Sequence, residues 1–104
     1  MIFKIKDCFD QDVIFTKKKF NRKKQNHPEL LKKQFIKCVQ NCLAAPDEVW
    51  PDYSNPANKK CYYKKYSQIS YAKVVVWFTD NPAQVVTAFE INYIKEKSIR
   101  VCKD

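Results

Sequence analysis

A run of five apolar residues, each either β-branched or aromatic, stands at Val74-Val75-Val76-Trp77-Phe78. Such a run predicts a strand that is buried on both faces, because these side chains pack well on a pleated surface. It forms the end of a longer predicted strand, Tyr71–Phe78. A strand of this kind lies in the centre of a sheet, so the fold is expected to be built around it.

Further strands are predicted on both sides of this central strand in the sequence. Their connections are short and contain Pro, Asn, Asp or Ser, and short connections favour antiparallel neighbours. Near the start of the chain, two short strands at 2–6 and 13–16 flank a polar segment and predict a hairpin. The three other strands are Glu48–Asp52, Lys60–Tyr66 and Gln84–Ile91.

One main helix is predicted between the hairpin and the remaining strands. The segment Asn26-His27-Pro28-Glu29 is typical of a helix start, because Asn can accept backbone N–H groups, Pro suits the first turn and an early acid favours the positive end of the dipole. An apolar stripe follows at helical spacing and ends near Ala45-Pro46. The sequence therefore predicts an α+β fold, with a twisted antiparallel sheet of about four strands, one main helix on one face and the opposite face free. The stripe consists of Leu31, Phe35, Cys38 and Cys42, and it is widened by Leu30, Val39 and Leu43.

The chain is short and strongly basic. Its 104 residues suit one domain, predicted to span 1–104. It has 20 Lys and Arg residues against 11 Asp and Glu, a net charge of +9, which attracts polyanions such as RNA, DNA or an anionic membrane surface. A charge run alone is about as typical of a solvated surface. The densest run supplies the candidate nucleic-acid contacts Lys17, Lys18, Lys19, Arg22, Lys23 and Lys24.

The sequence does not predict a membrane protein, a disulfide-stabilised protein or a metalloprotein. No apolar run reaches the roughly 18 residues of a membrane helix, and the first residues lack a signal-peptide core, which predicts a cytoplasmic protein. The five cysteines are odd in number and form no CxxC pattern, so no disulfide framework is predicted. Cys38 and Cys42 lie one helical turn apart and could hold a metal, but without a second ligand pair we expect buried apolar residues there. No metal and no cofactor are predicted.

RNA cleavage is a reaction that this composition can support. The 2′-hydroxyl of RNA can act as the nucleophile, so a protein need supply only a base, an acid and cations around the phosphate. Histidine is the side chain that changes charge nearest to neutral pH, and His27 is the only histidine. A histidine before a helix is, however, more often a capping or surface residue. From the strand alone, Thr87 is likewise more often an ordinary β-branched strand residue.

Five short segments of the chain, taken in order, carry a family resemblance. They are His27-Pro28-Glu29-Leu30, Pro46-Asp47-Glu48-Val49-Trp50, Tyr62-Tyr63-Lys64-Lys65, Lys73-Val74-Val75-Val76 and Val85-Val86-Thr87-Ala88-Phe89. This succession resembles the phage-associated nucleases of the barnase, EndoU, colicin and RelE-like group, small α+β ribonuclease domains found in phage polyvalent proteins and as toxins. The resemblance runs from about Val13 to Ile91. It implies a metal-independent RNA endonuclease whose catalytic groups lie on the sheet face away from the helix.

The resemblance also implies a set of catalytic residues. His27 matches the helix-start histidine of the group, and Lys65 or Lys64 matches its strand cation. Tyr63 matches the aromatic partner of that cation, and Thr87 matches the hydroxyl of a Thr-Ala-aromatic strand. Tyr63, Lys65 and Thr87 are expected to point away from the helix into one cleft, with His27 at its rim. Lys64 is kept as a further nucleic-acid contact.

Two features complicate this assignment. Strict alternation puts Thr87 on one face with Phe89 and Ile91, and a β-bulge near Thr87 would ease that conflict. Relatives often carry a further histidine shortly before the His-Pro-Glu segment, where this chain has Arg22, which can stabilise a phosphate but is a poor general base. Three interpretations stay open: an RNase in which His27 acts with a lysine or tyrosine, a nucleic-acid-binding module without activity, and a domain that binds an acidic partner such as an antitoxin.

Overall fold

The computed structural model describes residues 1–95 and contains one six-stranded mixed sheet. The strand order is β1-β2-β6-β5-β4-β3, and every neighbouring pair is antiparallel except β2 and β6, which run parallel. The expected sheet of about four antiparallel strands is therefore too small. The strands are β1 Phe3–Lys6, β2 Asp12–Phe15, β3 Glu48–Pro51, β4 Lys59–Ser67, β5 Ser70–Trp77 and β6 Ala83–Ile91.

The N-terminal hairpin accounts for the two additional strands. Val13 and Ile14 of β2 pair with Ala83 and Gln84 at the start of β6, so the hairpin extends the main sheet instead of standing apart. Val13 and Phe15 are fully buried in the main core. Burial of such side chains stabilises the fold by roughly 1.5–3 kcal/mol each, and an isolated hairpin could not provide it.

The turn of the hairpin is tied to the sheet by a buried polar contact. Tyr62 of β4 donates its hydroxyl hydrogen bond to Asp7 Oδ2 over 2.6 Å, and Asp7 Oδ1 accepts the backbone N–H groups of Phe9 and Gln11. Burial and the neighbouring Asp7 carboxylate both raise the pKa of the Tyr62 phenol. The phenol therefore stays protonated and remains the donor.

The helical region differs from the single helix that was predicted. The basic segment forms a helix of its own, α1 (Lys17–Lys23), which Thr16 caps by accepting the backbone N–H of Lys19. A 3-10 helix at Pro28–Leu31 follows, and the main helix, α2, spans Lys33–Ala44. Lys32 separates the last two because its backbone is extended, with φ −85° and ψ 126°. Within residues 1–95, no helix is both long and apolar enough to cross a membrane.

The break at Lys32 changes which residues form the apolar stripe. Leu31 was predicted to be buried but is 63% exposed, whereas Leu30, Val39 and Leu43, which were expected to widen the stripe, are buried. Phe35 and Cys42 are fully buried as predicted, whereas Cys38 is half-buried. The stripe packs on one face of the sheet against Tyr62, Val74, Val76, Val85 and Ala88.

The opposite face of the sheet is only partly open. Cys61, Tyr63 and Val75 form a second buried cluster with Ile94, which lies beyond the end of β6. The expectation that this face would be free is therefore wrong in its central part, because the chain turns back over it. We call this surface, turned away from α2, the open face.

A β-bulge in β6 decides which residues reach the open face. Val76 pairs with Val85, but the preceding residue of β5, Val75, pairs with Thr87. Val86 is therefore the extra residue. Val85 faces α2 while Thr87 lies on the open face. A bulge near Thr87 is therefore present, but Thr87 still shares its face with Phe89 and Ile91, so the bulge does not ease the expected conflict.

Candidate active site

Paired residues of β4, β5 and β6 form four rows across the open face. Each row contains one residue from each strand in register, and neighbouring rows are two residues apart along β5. The rows bring several of the predicted site residues onto one surface. They are Lys59, Trp77 and Gln84 in the first row, Cys61, Val75 and Thr87 in the second, Tyr63, Lys73 and Phe89 in the third, and Lys65, Tyr71 and Ile91 in the fourth.

His27 lies at the β6 end of the third row. Its imidazole stacks on the ring of Phe89, with centroids 4.8 Å apart and planes at 15°. Its backbone N–H donates to Lys23 O over 3.0 Å, and its carbonyl accepts the N–H of Leu30 over 3.0 Å. The histidine side chain makes no capping hydrogen bond. The predicted position at the rim of the face is therefore observed, and the imidazole is held by an aromatic ring.

The segment around His27 is fastened to β6 by a second contact. Glu29 Oε2 accepts the backbone N–H of Glu90 over 2.9 Å. This bond satisfies a backbone N–H on the edge of β6 that faces β2. At this point of β6 the pairing with β2 has already ended. It joins the 3-10 helix to the sheet one residue beyond Phe89, and so it supports the stacking of His27.

Lys73 is the site residue that sequence reasoning missed. It is only 5% exposed, and its Nζ lies 5.4 Å from the ring centroid of Tyr63 and 5.7 Å from that of Phe89. A cation is stabilised over aromatic rings by their quadrupole. The available signal was a lysine inside an otherwise apolar central strand, since lysine is almost never buried without partners.

Tyr63 and Lys65 share the open face as predicted, but their surroundings differ. Tyr63 has no exposed surface, so its ring cannot stack on a base in this conformation, and it contacts Lys73 and the ring of Tyr71. Lys65 is exposed one row further on, and its Nζ lies 4.8 Å from the ring centroid of Tyr71. Lys73, not Lys65, is the lysine that contacts the aromatic partner of His27.

Thr87 carries an unusual hydroxyl. Within residues 1–95, its Oγ1 is the buried side-chain polar atom that has no hydrogen-bond partner. Leaving a buried hydroxyl unpaired costs about 1–3 kcal/mol. Thr87 lies in the second row, beside the third row that contains Phe89 and Lys73.

Lys64 does not belong to the open face. Its Nζ donates to Ala45 O over 2.9 Å and lies 3.9 Å from Asp47 Oδ1. It therefore satisfies a carbonyl at the end of α2, where a cation also interacts favourably with the helix dipole. The structure separates Lys64 from the other predicted site residues, since alternation along β4 turns it to the α2 side.

The predicted basic contacts lie on α1, beside the outer edge of β6. Lys19 lines a cleft with Gln84 and Val86 of β6. Lys23 follows Lys19 by one helical turn on α1, and the backbone N–H of His27 donates to Lys23 O just beyond the end of the helix. We call Lys19, Lys23 and His27 the basic edge. The other predicted contacts are Lys17, Lys18 and Arg22, which are exposed, and Lys24, which is half-buried.

The cysteines do not assemble a metal site in the described part of the chain. Cys8, Cys38 and Cys42 are free thiols, Cys61 Sγ donates to Asp52 Oδ1 over 3.6 Å, and Cys102 lies outside the described residues. Within residues 1–95 no group of three or more His, Cys, Asp or Glu is arranged to hold a metal. Cys42 donates its thiol to Ala72 O over 3.7 Å, and burial raises its pKa well above the ordinary value.

Comparison with known proteins identifies the family. The family model described as phage-Barnase-EndoU-ColicinE5/D-RelE like nuclease2 matches residues 3–101. The chain belongs to this family. The match covers all six strands and both α-helices, as well as His27, Lys73 and Thr87. No curated protein and no solved structure matches the chain. The resemblance inferred from the five sequence segments is therefore confirmed, and the family is one of nuclease-like domains.

Proposed function

We propose that this protein is a metal-independent endoribonuclease that cuts RNA by attack of a 2′-hydroxyl on the adjacent phosphate. The observation that supports this most is the contact of both His27 and Lys73 with the ring of Phe89. It puts the group best suited to proton transfer near neutral pH and a buried lysine on the same aromatic ring, at an edge that a basic helix flanks.

The chemistry requires two proton transfers and no external nucleophile. The 2′-oxygen forms a bond to phosphorus while the bond from phosphorus to the 5′-oxygen breaks. The 2′-hydroxyl proton passes to a base, and the leaving 5′-oxygen receives a proton from an acid. The products are a 2′,3′-cyclic phosphate and a 5′-hydroxyl. We assign one transfer to the His27 imidazole and the other to a lysine or a water at the same edge, because the chain has no second histidine.

In this proposal, Lys73 and the basic edge both stabilise the negative charge of the phosphate. Lys73 is nearly removed from solvent, so its charge is weakly screened and acts over a longer distance than a surface charge. Lys23 and the exposed Arg22 lie on the helix that leads to His27. Their role is to hold the phosphate and stabilise the charge that builds up on its oxygens in the transition state.

Tyr63 and Thr87 act less directly than the resemblance implies. Tyr63 is a positioning residue, since its buried ring contacts Lys73 and not the solvent. Thr87 offers an unused hydroxyl next to the third row. For this hydroxyl to reach RNA, the residues that cover the second row must move. Ile94 belongs to the cluster that contains Val75, the partner of Thr87 in that row.

Incubation of the purified protein with total RNA in excess EDTA tests the proposal. We expect cleavage that survives the chelator and that falls by at least about 10²-fold in His27→Ala. Binding of RNA without cleavage would favour the non-catalytic module instead. Absence of both, with capture of an acidic protein, would favour the third interpretation, a domain that binds an antitoxin.

A further inference from the structure

A cleft at the end of the open face contains an aromatic ring, two cations and an amide. Its volume is about 300 Å³. Lys59, Trp77 and Gln84 form the first row, and Lys19 lies on α1. The six lining residues are Lys19, Lys59, Trp77, Asp80, Gln84 and Val86.

The β6 bulge brings Val86 to this cleft. A bulge re-aims side chains that strict alternation would send to the other face. Here it leaves Val86 beside the tryptophan, whereas Val85 points into the main core. The cleft is therefore lined by two apolar side chains, Trp77 and Val86, and by four polar or charged ones.

We propose that this cleft binds a nucleobase of single-stranded RNA, adjacent to the cleavage site. Aromatic rings stack on unpaired bases of any kind, while nearby cations attract the backbone. Trp77 is half-buried, so part of its indole is accessible, and Lys59 Nζ lies 5.5 Å from its ring centroid.

The acid in the cleft favours a base over a phosphate at this position. Gln84 Nε2 donates to Asp80 Oδ2 over 3.4 Å, so the carboxylate faces the cleft and would repel a phosphate. The carboxylate and the amide together offer acceptors and donors to the edge of a base. Lys19 and Lys59 then attract the phosphates on either side of that base.

The distance from this cleft to His27 fits a continuous RNA strand. Trp77 and Lys73 are four residues apart on β5, or roughly 13 Å at the usual strand rise. Lys19 and Lys23 lie one helical turn apart on α1, and His27 follows four residues beyond the end of that helix. Lys23 therefore lies between Lys19 and His27 along the chain. A strand of a few nucleotides can lie along the basic edge, with one base in the cleft and one phosphate at His27.

Tryptophan fluorescence provides the test, and this inference rests on RNA being the substrate of the proposed function. The chain has two tryptophans, so Trp50→Phe leaves Trp77 as the only one. A short 2′-O-methyl oligoribonucleotide of mixed sequence binds without being cut, because its nucleophile is blocked. We expect saturable quenching of Trp77 fluorescence as this oligonucleotide is added.

Affinity measurements on variants complete the test. Trp77→Ala should weaken binding of a labelled oligonucleotide by about 5- to 100-fold, whereas Trp77→Phe should stay close to the parent. Lys59→Gln should weaken binding even if Trp77→Ala fails to fold. Unchanged fluorescence together with undiminished affinity in Lys59→Gln, and in Trp77→Ala if that variant folds, would overturn the inference, and so would equal quenching by polyglutamate, which would indicate an acidic protein.

The outcomes separate this inference from the proposed function. Quenching without any RNA cleavage would leave the cleft as a binding site on an inactive module. Cleavage without quenching would leave the nuclease proposal intact and remove the cleft from it. His27→Ala should retain the quenching, because His27 lies at the other end of the basic edge.

Discussion

The His27 imidazole and the Phe89 ring are stacked at 4.8 Å, with their planes 15° apart. This contact joins a loop residue between two helical segments to the third row of the open face. It fixes the ring orientation of the histidine without occupying its nitrogens through a capping bond. No capping bond therefore occupies the imidazole nitrogens, and the proposed chemistry uses them for proton transfer.

Lys73→Met should lower RNA cleavage by about 10²-fold, because it removes a weakly screened cation next to the ring that holds His27. Methionine keeps much of the side-chain volume, so the thermal unfolding temperature serves as the folding control. Lys65→Met is the matched variant: it removes an exposed lysine one row away, and we expect a smaller loss. Equal losses in both variants would contradict the assignment of Lys73.

Thr87→Val should separate stability from activity. The hydroxyl oxygen is buried without a partner, so replacing it by a methyl group should leave the free energy of unfolding unchanged or raise it slightly. Cleavage should fall by about 10²-fold if the hydroxyl contacts the substrate in the reacting complex. Denaturant titration and initial rates measure the two quantities. A variant that is stable and fully active would remove Thr87 from the site.

Phe35→Ala should destabilise the fold by about 3–5 kcal/mol, because Phe35 is fully buried between α2 and the sheet. Leu31→Ala is the control, because the sequence predicted Leu31 in the same apolar stripe. Leu31 is 63% exposed, so its removal should cost about 0.5 kcal/mol or less. Urea titration of both variants checks the placement of the 3-10 helix, and similar losses would contradict it.

Asp52 should make stability depend on acid pH. Burial alone would raise its pKa, but hydrogen bonds from Ser54 Oγ, Cys61 Sγ and the Asn55 N–H outweigh burial and lower it. A lowered pKa in the folded state stabilises the fold at pH values above the ordinary aspartate pKa, about 3.9. That stabilisation is lost as the pH falls below this value. Asp52→Asn should therefore flatten the acid limb of stability against pH, and an unchanged limb would contradict the assignment.

Periodicity predicted the antiparallel half of the fold because those strands alternate or are buried on both faces. Strands β4, β5 and β6 all lie within a few residues of their expected bounds. The bulge at Val86 did not separate Thr87 from its neighbours, because Thr87 still shares its face with Phe89 and Ile91, as alternation predicts. These features depend on local spacing, which a sequence displays directly.

The remaining features depend on long-range contacts. The parallel pairing of Val13 with Ala83 joins segments 70 residues apart, and no local pattern indicates it. Helix α1 shows no apolar stripe in the sequence, because Phe20 is its one apolar side chain that packs on the core and the residues around it are mostly lysines. The burial of Lys73 was not predicted, because a lysine in a strand is usually exposed to solvent. Here its ammonium group lies near two aromatic rings.

The most direct measurement compares two oligonucleotides that differ at one sugar. One is an RNA that the protein cuts, and the other has a 2′-deoxyribose on the 5′ side of the mapped cleavage position. With EDTA present, we expect the protein to cut the first oligonucleotide, leaving a 2′,3′-cyclic phosphate, and to spare the second at that position. His27→Ala should cut the first at least about 10²-fold more slowly. Cutting of the deoxy-substituted strand at the same position, or full activity of His27→Ala, would contradict the proposed mechanism.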